Sequence, residues 1–143
     1  MQNYSEAMRL TNEALSINPK DITLYKTAFS HSSYANENRA DGVLDNERLE
    51  FLGDSVLSII VSEHLFAHYA DRHAEGALTR MRADVVCERA LAGYAMQIGL
   101  GDFLRLGRGE DKNNGRQRKS ILADAFEATL AAIYLDAGEF GKD

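Results

Sequence analysis

Asn46-Glu47-Arg48-Leu49-Glu50-Phe51-Leu52-Gly53-Asp54-Ser55-Val56-Leu57 is the stretch that decides how this chain is read. It opens a long helix that runs to about Tyr69. Strong helix formers dominate, no Pro interrupts, and apolar residues recur at three and four. Glu47, Glu50 and Asp54 stand at i, i+3 and i+7, so their carboxylates leave one face together. The same stripe continues through the apolar Leu57, Val61 and Leu65. The acids are therefore expected on the inward-packing side. Like charges one turn apart repel, and burying them unpaired costs more. A solvated acidic edge is the plain alternative. A divalent cation site is the sharper one, because the ion's charge removes the repulsion.

A second acidic pair lies on Ser120–Leu135, a segment apolar nearly all round and so a buried helix. There Asp124 and Glu127 stand at i, i+3, and small alanines surround them. Two acid pairs on two packed helices make a four-carboxylate cage. Oxygen-only ligands favour Mg²⁺ or Mn²⁺ over zinc. Such a site can activate water and stabilise a leaving oxygen in phosphoryl displacement. No Ser-His-Asp array is evident. The residues alone thus lead to a helical, hard-metal phosphoester hydrolase of unspecified substrate.

The totals agree with this. The chain has 143 residues, 45% hydrophobic and 27% charged, which suits one all-α domain with a single core. One Pro and little β-branched alternation argue for helices. No apolar run approaches the roughly 18 residues of a membrane span, and the first residues lack the pattern of a secretory signal. A cytoplasmic protein is expected, without a membrane partner. The single cysteine, Cys87, reads as a small core residue. The net charge of −6 speaks against a nucleic-acid binder. However, six of the sixteen Lys/Arg residues fall between Arg105 and Lys119, beside only two acids. That Gly-rich basic stretch is either a loop near phosphates or a plain solvated loop, and composition does not separate the two.

The remaining elements follow from punctuation. Residues 4–17 read as an amphipathic helix ended by Asn18-Pro19. Asp21 caps a second helix carrying Ile22, Leu24, Tyr25, Ala28 and Phe29. His31 is expected to be hydrogen-bonded and structural. Residues 36–45 read as a mobile loop, with Asp45 or Asn46 capping the central helix. His64 and His68 have a zinc-like i, i+4 spacing but lack a third ligand. One helix is expected from about Ala77 to Ile98, ended by Gly99 and Gly101.

Asn46–Leu57 resembles the signature of the ribonuclease III family. The resemblance extends to Ala28–Tyr34, Glu75-Gly76-x-Leu78, Leu106–Glu110 and Ser120–Asp136, in the family's order. It implies an all-α endonuclease-domain fold that forms a homodimer and cuts double-stranded RNA with Mg²⁺, for which Mn²⁺ would substitute. It further implies 5′-phosphate and 3′-hydroxyl ends with short 3′ overhangs, and a place in rRNA and mRNA processing. Carried over by position, Glu50, Asp124 and Glu127 match metal ligands, and Asp54 and Glu127 match catalytic residues. Glu47 and Glu75 match auxiliary acids of the cleft. Phe51 matches a dimer-contact aromatic, its alternative being an ordinary core Phe. Residues 1–143 are expected to form one nuclease domain with a short last helix and no double-stranded-RNA-binding domain. A non-cleaving RNA- or ribosome-binding module and an unrelated nucleotide hydrolase are the competing readings.

Overall fold

The computed structural model describes residues 15–138 together with Arg9 and Glu13. Among the described residues seven complete α-helices follow one another: α1 (Ile22–Ala28), α2 (Ser32–Glu37), α3 (Glu47–Tyr69), α4 (Glu75–Val86), α5 (Glu88–Gln97), α6 (Arg108–Lys112) and α7 (Lys119–Asp136). Among the described residues there is no strand, only an isolated parallel bridge between Ser30 and Arg105. No described helix is long and apolar enough to cross a membrane.

Helix α7 is the axle. Ile121, Leu122, Ala123, Ala125, Ala128, Thr129, Ala131 and Ala132 are all buried, so α3, α5 and α1 pack around it. The alanines let neighbouring backbones come close. The closest approach is at Gly53 of α3, where a Cβ would lie 1.8 Å from the Glu127 carbonyl oxygen. Only glycine permits that crossing. The main core gathers Tyr25, Phe29, Leu100, Leu104, Ile121 and Leu122.

Asp136 closes the far end of α7. Its carboxylate accepts from Lys20 N at 3.0 Å, Asp21 N at 2.6 Å and the Tyr25 hydroxyl at 3.0 Å. Burial and the neighbouring Asp136 push the Tyr25 hydroxyl well above the ordinary phenol range.

The central helix ends at Tyr69 as its pattern predicts, and α1 is capped by the Asp21 side chain, which accepts from Thr23 N at 2.9 Å. Two expectations need correction, and a third, the helix over 4–17, lies mainly outside the described residues. Of its described residues, Arg9 and Glu13 are helical and Leu15 to Ile17 are not. The helix expected over 77–98 is two helices, broken at Cys87, whose ψ of 155° is extended. Val85 and Val86 are stiff, poor helix formers. The Tyr94 hydroxyl donates to the freed Val85 carbonyl at 3.3 Å. Cys87 is accordingly half-buried at a helix joint, not a core residue.

The basic stretch is also more ordered than a loop. It contains α6 and a 3₁₀ turn at Gly115–Gln117. Arg105 donates to Ser30 Oγ at 2.8 Å and Lys26 O at 3.0 Å. Arg116 donates to Leu104 O at 2.5 Å and pairs with Asp111 at 2.8 Å. Arg118 pairs with Glu110 at 2.5 Å. Half of its six cations therefore hold the fold, which leaves Arg108, Lys112 and Lys119 exposed.

Candidate metal centre

The Gly53 crossing fixes which side chains meet. Glu50 lies one turn before Gly53 on α3, and Glu127 supplies the backbone against which Gly53 rests. Asp124 lies one turn before Glu127. As a result Glu50, Asp124 and Glu127 each offer a carboxylate oxygen, and these atoms lie within 4.8 Å of one another. It is the one group of this kind among the described residues. All three side chains are half-buried.

Little among the described residues neutralises them. Among the described residues, no Lys or Arg forms an ion pair with any of the three. Their electrostatics show the cost. Burial, then the charges of Asp54, Glu50 and Asp124, push the Glu127 carboxyl up to about 7 from an ordinary 4.5. Burial raises Glu50 as well, followed by Asp124, Glu47 and Asp54. Asp124 is raised by burial and then by Glu88, partly offset by His31. Desolvation and like-charge repulsion act together here, and both are relieved by a bound cation. The donor set is all oxygen, with no thiolate or imidazole, which suits a divalent cation and favours a hard one.

The other predicted residues are distributed around this cluster. Glu47 and Asp54 are exposed, on the rim and not in the core, although their charges reach the triad. The physical reason is that α3 packs on α7 through Gly53, Val56 and Leu57, so the acids flank the contact. Glu75 is apart. It opens α4, accepts from the Thr79 hydroxyl at 2.8 Å, and lines a groove of about 270 Å³ with Ser62, Phe66 and Arg82. Phe51 is 79% exposed and is no core residue of the single chain.

His31 caps α2, its Nδ1 accepting from Ser33 N at 3.2 Å. His64 and His68 stack on the exposed face of α3, ring centroids 4.2 Å apart, and gather no third ligand. Sequence reasoning missed Glu88. Reading 77–98 as one helix hid the break that puts Glu88 in the first turn of α5, within electrostatic reach of Asp124.

Comparison with known proteins agrees with this geometry. A family model described as Ribonuclease-III-like matches residues 21–141. The chain belongs to the ribonuclease III family. It is 51% identical over 126 residues to Ribonuclease 3 of Listeria monocytogenes, covering 88% of this chain and 55% of that protein. It is 58% identical over 116 residues to Ribonuclease 3 of Desulforamulus reducens, covering 81% and 47%. The chain thus spans about half the length of these curated relatives. A solved nuclease domain of ribonuclease III from Campylobacter jejuni superposes with a TM-score of 0.83 at 40% identity, covering 92% of this chain and 87% of that one. That structure is described as showing flexibility in a region involved in dimer formation. The fold is therefore the family's all-α nuclease domain, and the acidic triad lies within it.

Proposed function

We propose that this chain is the catalytic domain of a Mg²⁺-dependent endonuclease that hydrolyses double-stranded RNA as a homodimer. The observation that carries the reading is the convergence of Glu50, Asp124 and Glu127 with no protein cation among them. Glu50, Asp124 and Glu127 would hold the ion. When bound, a divalent cation supplies an acidified water and a positive charge for the phosphate oxygens. Asp54, exposed and close enough for its charge to raise Glu127, would orient the attacking water. Water attack at phosphorus, with departure of the 3′-oxygen, gives 5′-phosphate and 3′-hydroxyl ends. With its carboxyl pushed up to about 7, Glu127 is only partly ionised at neutral pH when no cation is present, so protons and cation compete for it. Exposed Arg108, Lys112 and Lys119 are available to phosphates of the duplex.

The dimer rests on a second feature. Phe51, Ile59, Phe66 and Tyr69 are exposed and recur at helical spacing on the outer face of α3. A large apolar stripe on a small protein marks an interaction surface, and a second copy of this chain would cover it. Glu75 shares its groove with Phe66, so its auxiliary role belongs to the subunit boundary. Glu47 keeps the auxiliary role at the cleft. Short 3′ overhangs, action on rRNA and mRNA precursors, and cytoplasmic location complete the reading.

Incubation of a long RNA duplex with the protein in Mg²⁺ at low salt tests this. Cleavage by the parent and a loss of at least about a hundredfold in Glu127→Gln are expected. A duplex retained without products at any Mg²⁺ or Mn²⁺ concentration would favour a binding module instead. Phe51→Ala should shift sedimentation towards monomer, and an unchanged dimer removes Phe51 from the interface.

A further inference from the structure

The head of α3 carries Glu47 and Glu50, and what fixes its position is not the usual helix cap. Asp45 does the capping, its Oδ1 accepting from Glu47 N at 3.1 Å. Asn46 occupies the cap position but makes no side-chain bond to the helix. It is only 4% exposed. Its Nδ2 donates instead to Ala28 O at 3.1 Å, and its backbone N donates to Ser30 O at 2.9 Å. Its carbonyl accepts the first helical bond, from Glu50 N at 2.8 Å.

The platform that Asn46 grips is itself braced. Arg105 N donates to Phe29 O at 2.7 Å, and His31 N donates to Arg105 O at 3.1 Å. The Arg105 guanidinium then ties Ser30 Oγ and Lys26 O from the side. Residues 28–31 are thus held on one edge by Arg105 and on the other by Asn46. A buried amide with a firm backbone partner fixes rotation and axial position far better than a solvated cap. One residue later stands Glu47, and one turn later Glu50. Gly53 sets where α3 crosses α7, and Asn46 sets how the turn before that crossing is rotated.

We infer that Asn46 is a positioning residue for the acidic triad: its amide, anchored to Ala28, holds Glu50 at the distance from Asp124 and Glu127 that a hard divalent cation needs. This rests on the metal-site reading and adds a residue to it. Groups that orient ligands contribute about ten- to a hundredfold to metal affinity. A residue that merely stabilised the fold would not.

The experiment is a Mn²⁺ titration of the full chain followed by electron paramagnetic resonance, with thermal melts in EDTA alongside. Asn46→Ala should weaken Mn²⁺ binding about tenfold. Asn46→Ser, which offers a capping hydroxyl but is too short to reach Ala28, should do the same and covers the case in which the alanine variant does not fold. Tyr25→Phe is the structural control. It removes a buried hydrogen bond to Asp136 far along α7, and should lower the melting temperature while leaving Mn²⁺ affinity within twofold. Asn46 variants that melt earlier yet bind Mn²⁺ like the parent overturn the inference alone. A parent that binds no Mn²⁺ overturns the metal-site reading and this inference with it.

Discussion

The two ends of α7 treat carboxylates in opposite ways. At its C-terminal end Asp136 is 8% exposed and receives three donors, two backbone amides and a tyrosine hydroxyl. Nearer its start Asp124 and Glu127 face Glu50, with no ion pair and with Glu47, Asp54 and Glu88 adding further negative charge. A carboxylate buried for structure brings its donors with it. One left bare among its own kind is the arrangement that a bound cation would complete. The same helix, built of the same alanines, thus carries a finished anchor at one end and an open ligand set at the other.

Several substitutions sharpen that contrast. The largest effect is expected where the open end is assembled. Gly53→Ala puts a methyl into the Glu127 backbone, forces α3 from α7, and should cost at least about 3 kcal/mol by denaturant unfolding. A melt close to the parent's would mean the helices do not cross there. Asp136→Asn comes next. It loses charge-assisted bonds and turns an amide donor towards backbone donors, so a loss of about 2–3 kcal/mol is expected at neutral pH. Glu127→Gln should act with the opposite sign in EDTA at pH 8. It removes one of several crowded charges and should raise stability by roughly 1 kcal/mol. If both neutralisations destabilise alike, the two ends do not differ as described.

The pH dependence follows from the same asymmetry. The Glu127 carboxyl binds its proton more tightly in the folded chain, near 7, than at its ordinary 4.5. Below 4.5 both states are protonated and the repulsion is absent. Between 4.5 and about 7 the unfolded chain has given up this proton while the folded chain keeps it, so stability falls across that window and levels off above 7, where the folded state carries the strained charge. Glu50 and Asp124 are raised and act in the same direction. Metal-free melts should therefore lose roughly 1–2 kcal/mol between pH 5 and 8, after allowing for solvent screening of half-buried groups. The smallest change is expected from Asp54→Asn, a slight rise in melting temperature in EDTA. A fall would show that the exposed rim acid is not repelled by the cluster.

Much of this was legible in the chain. The i, i+3, i+7 acids on a stripe shared with Leu57 and Leu65, and the acid pair on an alanine-rich buried helix, pointed to a carboxylate cage between two helices, and the family resemblance singled out Glu50, Asp124 and Glu127. What periodicity could not show was depth. Glu47 and Asp54 lie on the correct face, but the close contact is at Gly53, so they remain on the rim. Helical phase also says nothing of the partner an outward face awaits, and Phe51 therefore stayed open between core and interface. Asn46 looked like a cap, since Asn favours that position and local pattern carries no sign of Ala28 eighteen residues away. Glu88 was hidden because nothing in 77–98 is a strong breaker. The joint at Cys87 comes from packing around Tyr94 and the two valines.

Crystals of the protein soaked in Mn²⁺ and measured for anomalous scattering test the central claim most directly. A peak within coordination distance of carboxylate oxygens from Glu50, Asp124 and Glu127, lost in Glu127→Gln, is the predicted result. A well-ordered triad with no peak at saturating Mn²⁺, or a peak held by other residues, would contradict it.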